Sequence, residues 1–219
     1  MRRAACWSRS PLHCGPRGSG LCSARGMCNC DAVTRYVALL RGINVGKNNR
    51  LPMADLRAAL ESIGGTGVGT YLQSGNAVLD HPDSTDKVAA ALRKAVHEGS
   101  GIDVPILVRT ADWLEKALRD DPFGTKATNP KTYLLAFLSE TPSAAAKKKL
   151  ADAVAARQAK GGKDSGDEYE LDRDRGYLWC PVNVHESLFA SLDWDKLLGV
   201  QVTMRNWDTA NRLLALARG

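Results

Sequence analysis

The order strand, helix, strand, strand, helix, strand is readable twice along this chain, and few chains of this length carry a stronger constraint on their fold. RYVALL (35–40) is a short run of β-branched, aromatic and aliphatic residues, the signature of a buried strand. After a glycine-rich loop, Pro52 suits the first turn of a helix, and Met53, Leu56, Leu60 and Ile63 fall on one helical face. Gly64-Gly65 closes that helix. VGTYLQ (68–73) and NAVLD (76–80) read as strands joined by a two-residue turn at Ser74-Gly75. Asp83 or Ser84 then caps a helix bearing Val88, Leu92 and Val96, and DVPILVR (103–109) is a strand whose Pro105 marks an edge or a bulge.

A short helix capped by Thr110 and a loop ending near residue 130 make a connector. The order then recurs. KTYLLAFL (131–138) is a strand, and a helix follows from Thr141-Pro142 to about Arg157. AKGGKDSGD is a polar loop. EYELD and GYLWCPV form a hairpin around Arg173-Asp174-Arg175. HESLFASLDWDKLLG is a less regular helix, VQVTMR (200–205) a strand, and Asn206 caps a final helix with Leu213, Leu214 and Ala217. The letters do not repeat, but the order does. It predicts an α+β protein of two ferredoxin-like (βαββαβ) subdomains with antiparallel sheets, joined by a connector helix, plus a C-terminal helix. The expected division is a leader at 1–33, a first subdomain at 34–109, a connector at 110–130 and a second subdomain at 131–219.

Charge and cysteine divide at the leader. Residues 1–30 carry five arginines and no acid, which leaves 25 basic against 24 acidic residues from position 31 onward. A nucleic-acid footprint needs basic clustering on the folded body, and the totals argue against it. Five of the six cysteines lie in the leader and only Cys180 beyond it, a pattern that predicts a reducing, cytoplasmic setting. Cys28-Asn29-Cys30 lacks the spacing of a strong zinc site, so no metal is expected. No apolar run approaches the roughly 18 residues of a membrane span. The leader reads as a disordered, basic, Cys-containing segment, with Met27 as an alternative start.

Topology alone gathers a polar surface. If the first strand runs upward, the loop at 41–51, the hairpin at 73–76 and the Glu98–Gly101 loop all lie at the top. This brings Arg41, Asn44, Lys47, Asn48, Asn49, Gln73, Ser74 and Asn76 into one neighbourhood. Gly42-Ile43-Asn44-Val45-Gly46-Lys47 is one residue short of a phosphate-binding P-loop and ends without Ser or Thr, so a nucleoside-triphosphate site of that kind is excluded. A weaker anion cradle remains, because Gly42 and Gly46 permit left-handed backbone. The competing account gives the glycines a purely geometric role in joining strand to helix.

TRYVALLRGINVGKNNRLPMADLR, TYLQSGNAVLD and VTMRNWDTANRL, in that order, resemble the bacterial family called domain of unknown function 1697. The resemblance spans about residues 34–217. It implies two linked α+β subdomains and no established activity, cofactor or catalytic residue. Relatives often carry a glycine, an arginine and a lysine before the penultimate helix. Here Val182-Asn183-Val184-His185-Glu186-Ser187 stands in that place, which implies an altered contact there.

Ser74 has no motif-supported histidine base, so it reads as a hairpin residue. Cys180, inside a strand and without a second thiol, reads as buried filler. Asp172 and Asp174 read as a solvated turn. Arg205-Asn206-Trp207 joins a strand end to a helix start: Asn206 is a good cap, and Arg205 there is placed to hold an anion. The expected function is binding of a small anionic or polar ligand by Arg41, Asn44, Lys47, Gln73, Ser74, Asn76, Arg205 and Asn206. An RNA-recognition-like module and an assembly protein without a ligand site are the alternatives. No reaction or cofactor is implied.

Overall fold

The structure, a computed structural model, describes residues 33–46, 49–159 and 166–219. The leader, Lys47, Asn48 and most of the AKGGKDSGD loop therefore lie outside the described residues. The first half comprises β1 (Thr34–Leu40), α1 (Met53–Ser62), β2 (Thr66–Tyr71), β3 (Asn76–His81), α2 (Thr85–Ser100) and β4 (Ile106–Thr110). After α3 (Ala111–Arg119) come β5 (Tyr133–Leu138), α4 (Ala144–Ala159), β6 (Glu168–Asp172), β7 (Arg175–Trp179), α5 (Trp194–Leu198), β8 (Val202–Asn206) and α6 (Trp207–Arg218). The protein is thus α+β, with two four-stranded sheets ordered β2-β3-β1-β4 and β6-β7-β5-β8, every pairing antiparallel. Each repeats the βαββαβ order, and α6 follows the second.

Three elements differ from the sequence expectation. The β2–β3 turn takes four residues, 72–75, rather than two. Leu72 at φ 58° and Gly75 at φ 77° supply its left-handed positions. The 185–199 segment is not one helix. It is two 3-10 turns, Val184–Glu186 and Leu188–Ser191, followed by the five-residue α5. Asn183, Ser187 and Asp193 each cap a new start there, so successive polar side chains repeatedly interrupt the ladder. Finally, β4 begins after Pro105 rather than before it. Pro105 has no N–H to donate, and its carbonyl instead accepts the backbone N–H of Arg41 at 3.0 Å.

The layers explain why β1 reads as an unbroken apolar run. Tyr36, Ala38 and Leu40 point to α1 and α2, where Leu56, Leu60, Val88, Leu92 and Val96 meet them. Val37 and Leu39 point the other way, to a middle core shared with the second sheet. That middle layer is filled by α3 and α6 through Leu114, Ala117, Ala210 and Leu213, with Leu135, Phe137 and Tyr177 closing it from the far side. The second sheet's outer face packs on α4, α5 and the 3-10 turns through Leu150, Val154, Phe189 and Trp194. Trp207 at the start of α6 stacks on Tyr133 with ring centroids 4.4 Å apart. Fully burying side chains of this size contributes roughly 1.5–3 kcal/mol each, so the middle layer is a principal source of cohesion between the sheets.

The two halves also grip each other in matching ways. Arg109 is the fourth residue of β4 and pairs with Val37. Arg205 is the fourth residue of β8 and pairs with Leu135. Arg205 donates to the carbonyl of Leu40 at the end of β1, and Arg109 donates to the carbonyl of Leu138 at the end of β5. Each arginine is followed by a cap: Thr110 accepts the N–H of Trp113, and Asn206 accepts the N–H of Thr209. Each strand end is tied alike, with Arg41 N–H bonded to Pro105 O and Ser139 N–H bonded to Gln201 O.

Candidate functional site

The 41–51 loop meets the β2–β3 turn, and the residue that joins them is Asn44. Held at φ 54°, it donates from Nδ2 to Leu51 O at 2.9 Å and to Gln73 O at 2.7 Å, and its Oδ1 accepts the N–H of Leu51 at 2.9 Å. One side chain therefore closes the 41–51 loop on itself and fastens it to the β2–β3 turn. Asn49, at φ 51°, adds a bond from Nδ2 to Gly42 O. Ile43 is buried under this loop against Gly75. Gly42 and Gly46 both adopt positive φ, as the loop reading anticipated.

The structure separates the predicted residues by what their polar atoms are already doing. Asn76 is fully buried. Its Nδ2 donates to Tyr71 O and Ser74 Oγ, and its Oδ1 accepts from Arg205. Asn206 is occupied as the cap of α6. Asn44 is consumed by the loop. These three hold the scaffold. Arg41 and the side chains of Gln73 and Ser74 are exposed at the surface.

Arg205 belongs to both groups. Its guanidinium reaches from the edge of the second sheet into the first half and donates to Asn76 Oδ1 at 2.5 Å, Leu40 O at 2.7 Å and Ser74 O at 3.2 Å, with a fourth bond to Met204 O at 2.8 Å. Every acceptor is neutral. Burial without a carboxylate partner pushes its pKa down to about 10. Beside it lies a cleft of about 470 Å³, floored by Val202–Arg205 of β8, walled by Leu192–Asp195, and bounded on the other side by Arg41. Arg41 is paired with Asp195, whose second oxygen accepts the N–H of Val202 at 3.0 Å. Asp193 caps α5 from the same wall.

Sequence reasoning missed Asp193 and Asp195, which line this cleft from outside the family motifs, and Thr203, which lies within VTMRNWDTANRL but reads there only as a strand residue. It also missed Arg109, although a signal was present: Arg109-Thr110 and Arg205-Asn206 both place an arginine before a helix cap at the end of a half. Arg109 lies under the ring of Trp113, 3.4 Å from Asp174, and burial is the main force lowering its pKa. Its Nε is buried without an acceptor.

Other readings sort as follows. Cys180 is fully buried, donates weakly to Ser187, and burial raises its pKa to about 11, which makes it a poor nucleophile. Asp172 and Asp174 are tied rather than free, to Arg175 and to the Trp113 indole. The sheet face on which an RNA-recognition domain stacks bases is filled by α3 and α6. Among the described residues no group of three His, Cys, Asp or Glu is placed to hold a metal, and no helix is long and apolar enough to cross a membrane.

A family model described as "Protein of unknown function (DUF1697)" matches residues 33–163, more than half of the chain. That range includes the Arg41–Gly46 loop and the Gln73–Asn76 turn but not Arg205-Asn206-Trp207. Among solved structures, the conserved bacterial protein SP0830 from Streptococcus pneumoniae aligns with a TM-score of 0.63 at 20% identity, covering 85% of this chain and 99% of that one. At that identity the likeness speaks for the fold. No curated protein matches.

Proposed function

The chain belongs to the DUF1697 family, whose description assigns no function, and from that premise we propose that it is a binding protein for a small ligand that presents an anionic group to the cleft between Arg41 and Arg205. The observation that carries this reading is the environment of Arg205: a partly buried guanidinium with four neutral acceptors and no acidic partner, in the wall of an open cleft. Removing a charge from water without an opposite charge is unfavourable, even where neutral acceptors take its N–H groups. An anion in the cleft offsets part of that cost, in surroundings where attraction is stronger than at an open surface. Arg41 adds an exposed guanidinium bonded through its side chain to Asp195, with further donors for recognition of a carboxylate or phosphate. Arg41 opens the 41–51 loop, which Asn44 fastens to the 72–75 turn, and its backbone N–H is bonded to Pro105 O. Gln73, Ser74 and Lys47, from the same two segments, are its proposed neighbours.

The test is thermal denaturation of the full chain with inorganic phosphate, nucleotides, sugar phosphates, simple carboxylates and amino acids. A ligand present at a hundred times its Kd stabilises by about 2.7 kcal/mol, a shift of several degrees for a protein of this size. Arg41→Ala removes one exposed ion pair, so its own melting temperature stays close to that of the parent, and the ligand-induced shift disappears. Absence of any shift across the panel overturns the reading.

A further inference from the structure

The charges of the cleft go further than an anion site. Two cations, Arg41 and Arg205, face two carboxylates, Asp193 and Asp195, along one lining. Arg41 and Asp195 already neutralise each other across its mouth. A simple anion that takes the remaining donors of Arg41 sits beside Asp195, which already holds that guanidinium, and beside Asp193 as well. Like charges at close range repel and counter the gain at Arg41. A ligand with charges of both signs has no such conflict. Its anionic end takes the remaining donors of Arg41 beside Arg205, and its cationic end takes Asp195 and Asp193, so each end meets charge of the opposite sign.

We infer that the ligand of this cleft is dipolar: a small zwitterion of the α-amino acid type, with a carboxylate and an ammonium group, rather than a phosphate ester or a plain carboxylate. The inference rests on the ligand-binding reading above and narrows it. The cleft volume, about 470 Å³, lies within the range of small-molecule sites, roughly 300–1,000 Å³. It is also consistent that Asp193 and Asp195 are set by main-chain bonds. Asp193 Oδ1 accepts the N–H of Lys196 at 3.1 Å, and Asp195 Oδ1 accepts the N–H of Val202 at 3.0 Å. Asp193 keeps its second oxygen for a ligand, and Asp195 offers the one that it already shares with Arg41, both on carboxylates whose direction is fixed.

The experiment compares matched pairs on the full chain by thermal shift and calorimetry: L-alanine against propionate, L-aspartate against succinate, and the other common amino acids against inorganic phosphate and nucleotides. At least one amino acid raises the melting temperature and its deaminated counterpart does not. Asp193→Asn keeps a capping side chain on α5 and weakens amino-acid binding by about threefold to tenfold. Phosphates or plain carboxylates shifting the wild type as much as amino acids do would overturn the dipolar assignment and leave the ligand-binding reading standing. An amino-acid shift unchanged in Asp193→Asn would overturn it too. No shift with any compound removes both.

Discussion

Arg205 on β8 donates its Nε–H to Oδ1 of Asn76 at the start of β3, joining two residues 129 positions apart across the two sheets. Asn76 is fully buried and Arg205 has no acidic partner. The pair is therefore a clasp first and a feature of the cleft second.

Replacing Arg205 tests the clasp. Arg205→Ala leaves Asn76 Oδ1 and the carbonyls of Leu40 and Ser74 without their donor. Orphaned buried acceptors cost about 1–3 kcal/mol each, part of which water entering the vacated space recovers. The expected loss is about 2–4 kcal/mol by urea denaturation. Arg109→Ala, which also strips a partner from Asp174, falls in the same range. A loss below about 0.5 kcal/mol for both would show that the halves are held by the apolar middle layer alone.

Asn44→Ala removes three side-chain bonds and places alanine at φ 54°. The expected destabilisation is about 2 kcal/mol. The sharper readout is hydrogen exchange at the Leu51 amide, which donates to Asn44 Oδ1. Its protection collapses in the variant while that of the β1 amides persists. Equal protection in both proteins would count against Asn44 as the organiser of the loop.

Gly75 has no room for a side chain. A Cβ there would lie 2.7 Å from Leu40 Cβ and 2.7 Å from Ile43 Cδ1, at φ 77°. Leu40 Cβ is anchored to a central strand and cannot yield. Gly75→Ala is expected to destabilise by about 1–3 kcal/mol or more, from overpacking and strained backbone together. Gly42→Ala meets the same φ penalty in open space and is expected to lose only about 1 kcal/mol. The difference between the two melting temperatures separates crowding from conformation.

Cys180 provides a pH prediction. Burial raises its thiol from the ordinary 9.0 to about 11. The folded state thus holds the thiol proton more tightly than the unfolded chain does. Its contribution to stability is complete below pH 9 and is lost as the pH rises towards 11. Cys180→Ala flattens the fall in stability across that window, whatever it does to stability at neutral pH. At pH 8, alkylation mapped by mass spectrometry leaves Cys180 unmodified until denaturant is added.

How much of this was legible without coordinates depends on what each residue's neighbours in sequence could signal. The β1 run, the α1 face of Leu56 and Leu60 and the Asn206 cap depend on local periodicity or on contacts three residues away, and they fold as read. The meeting of the 41–51 loop with the β2–β3 turn follows from strand direction alone. The use of the polar atoms was not legible. Asn44 and Asn76 look like ligand contacts because amides in glycine-rich loops often are, yet backbone carbonyls 29 and 5 residues away take their donors. The 72–75 turn lengthened because Leu72 takes a left-handed conformation that leucine seldom signals. Asp195 found its role only when a short helix at one end of the chain came to lie against the strand exit at the other.

The reciprocal grip of Arg109 and Arg205 has a further consequence. Each half inserts its own trailing helix into the shared interior and extends one guanidinium to the opposite half, as the subunits of an isologous dimer would. At the place where one half presents Arg41, the other presents Ser139, with its main chain tied in the same manner. The two halves therefore differ at that place, so the proposed site between Arg41 and Arg205 has no counterpart built from the same residues, and the expectation that follows is one ligand per chain with a non-cooperative isotherm.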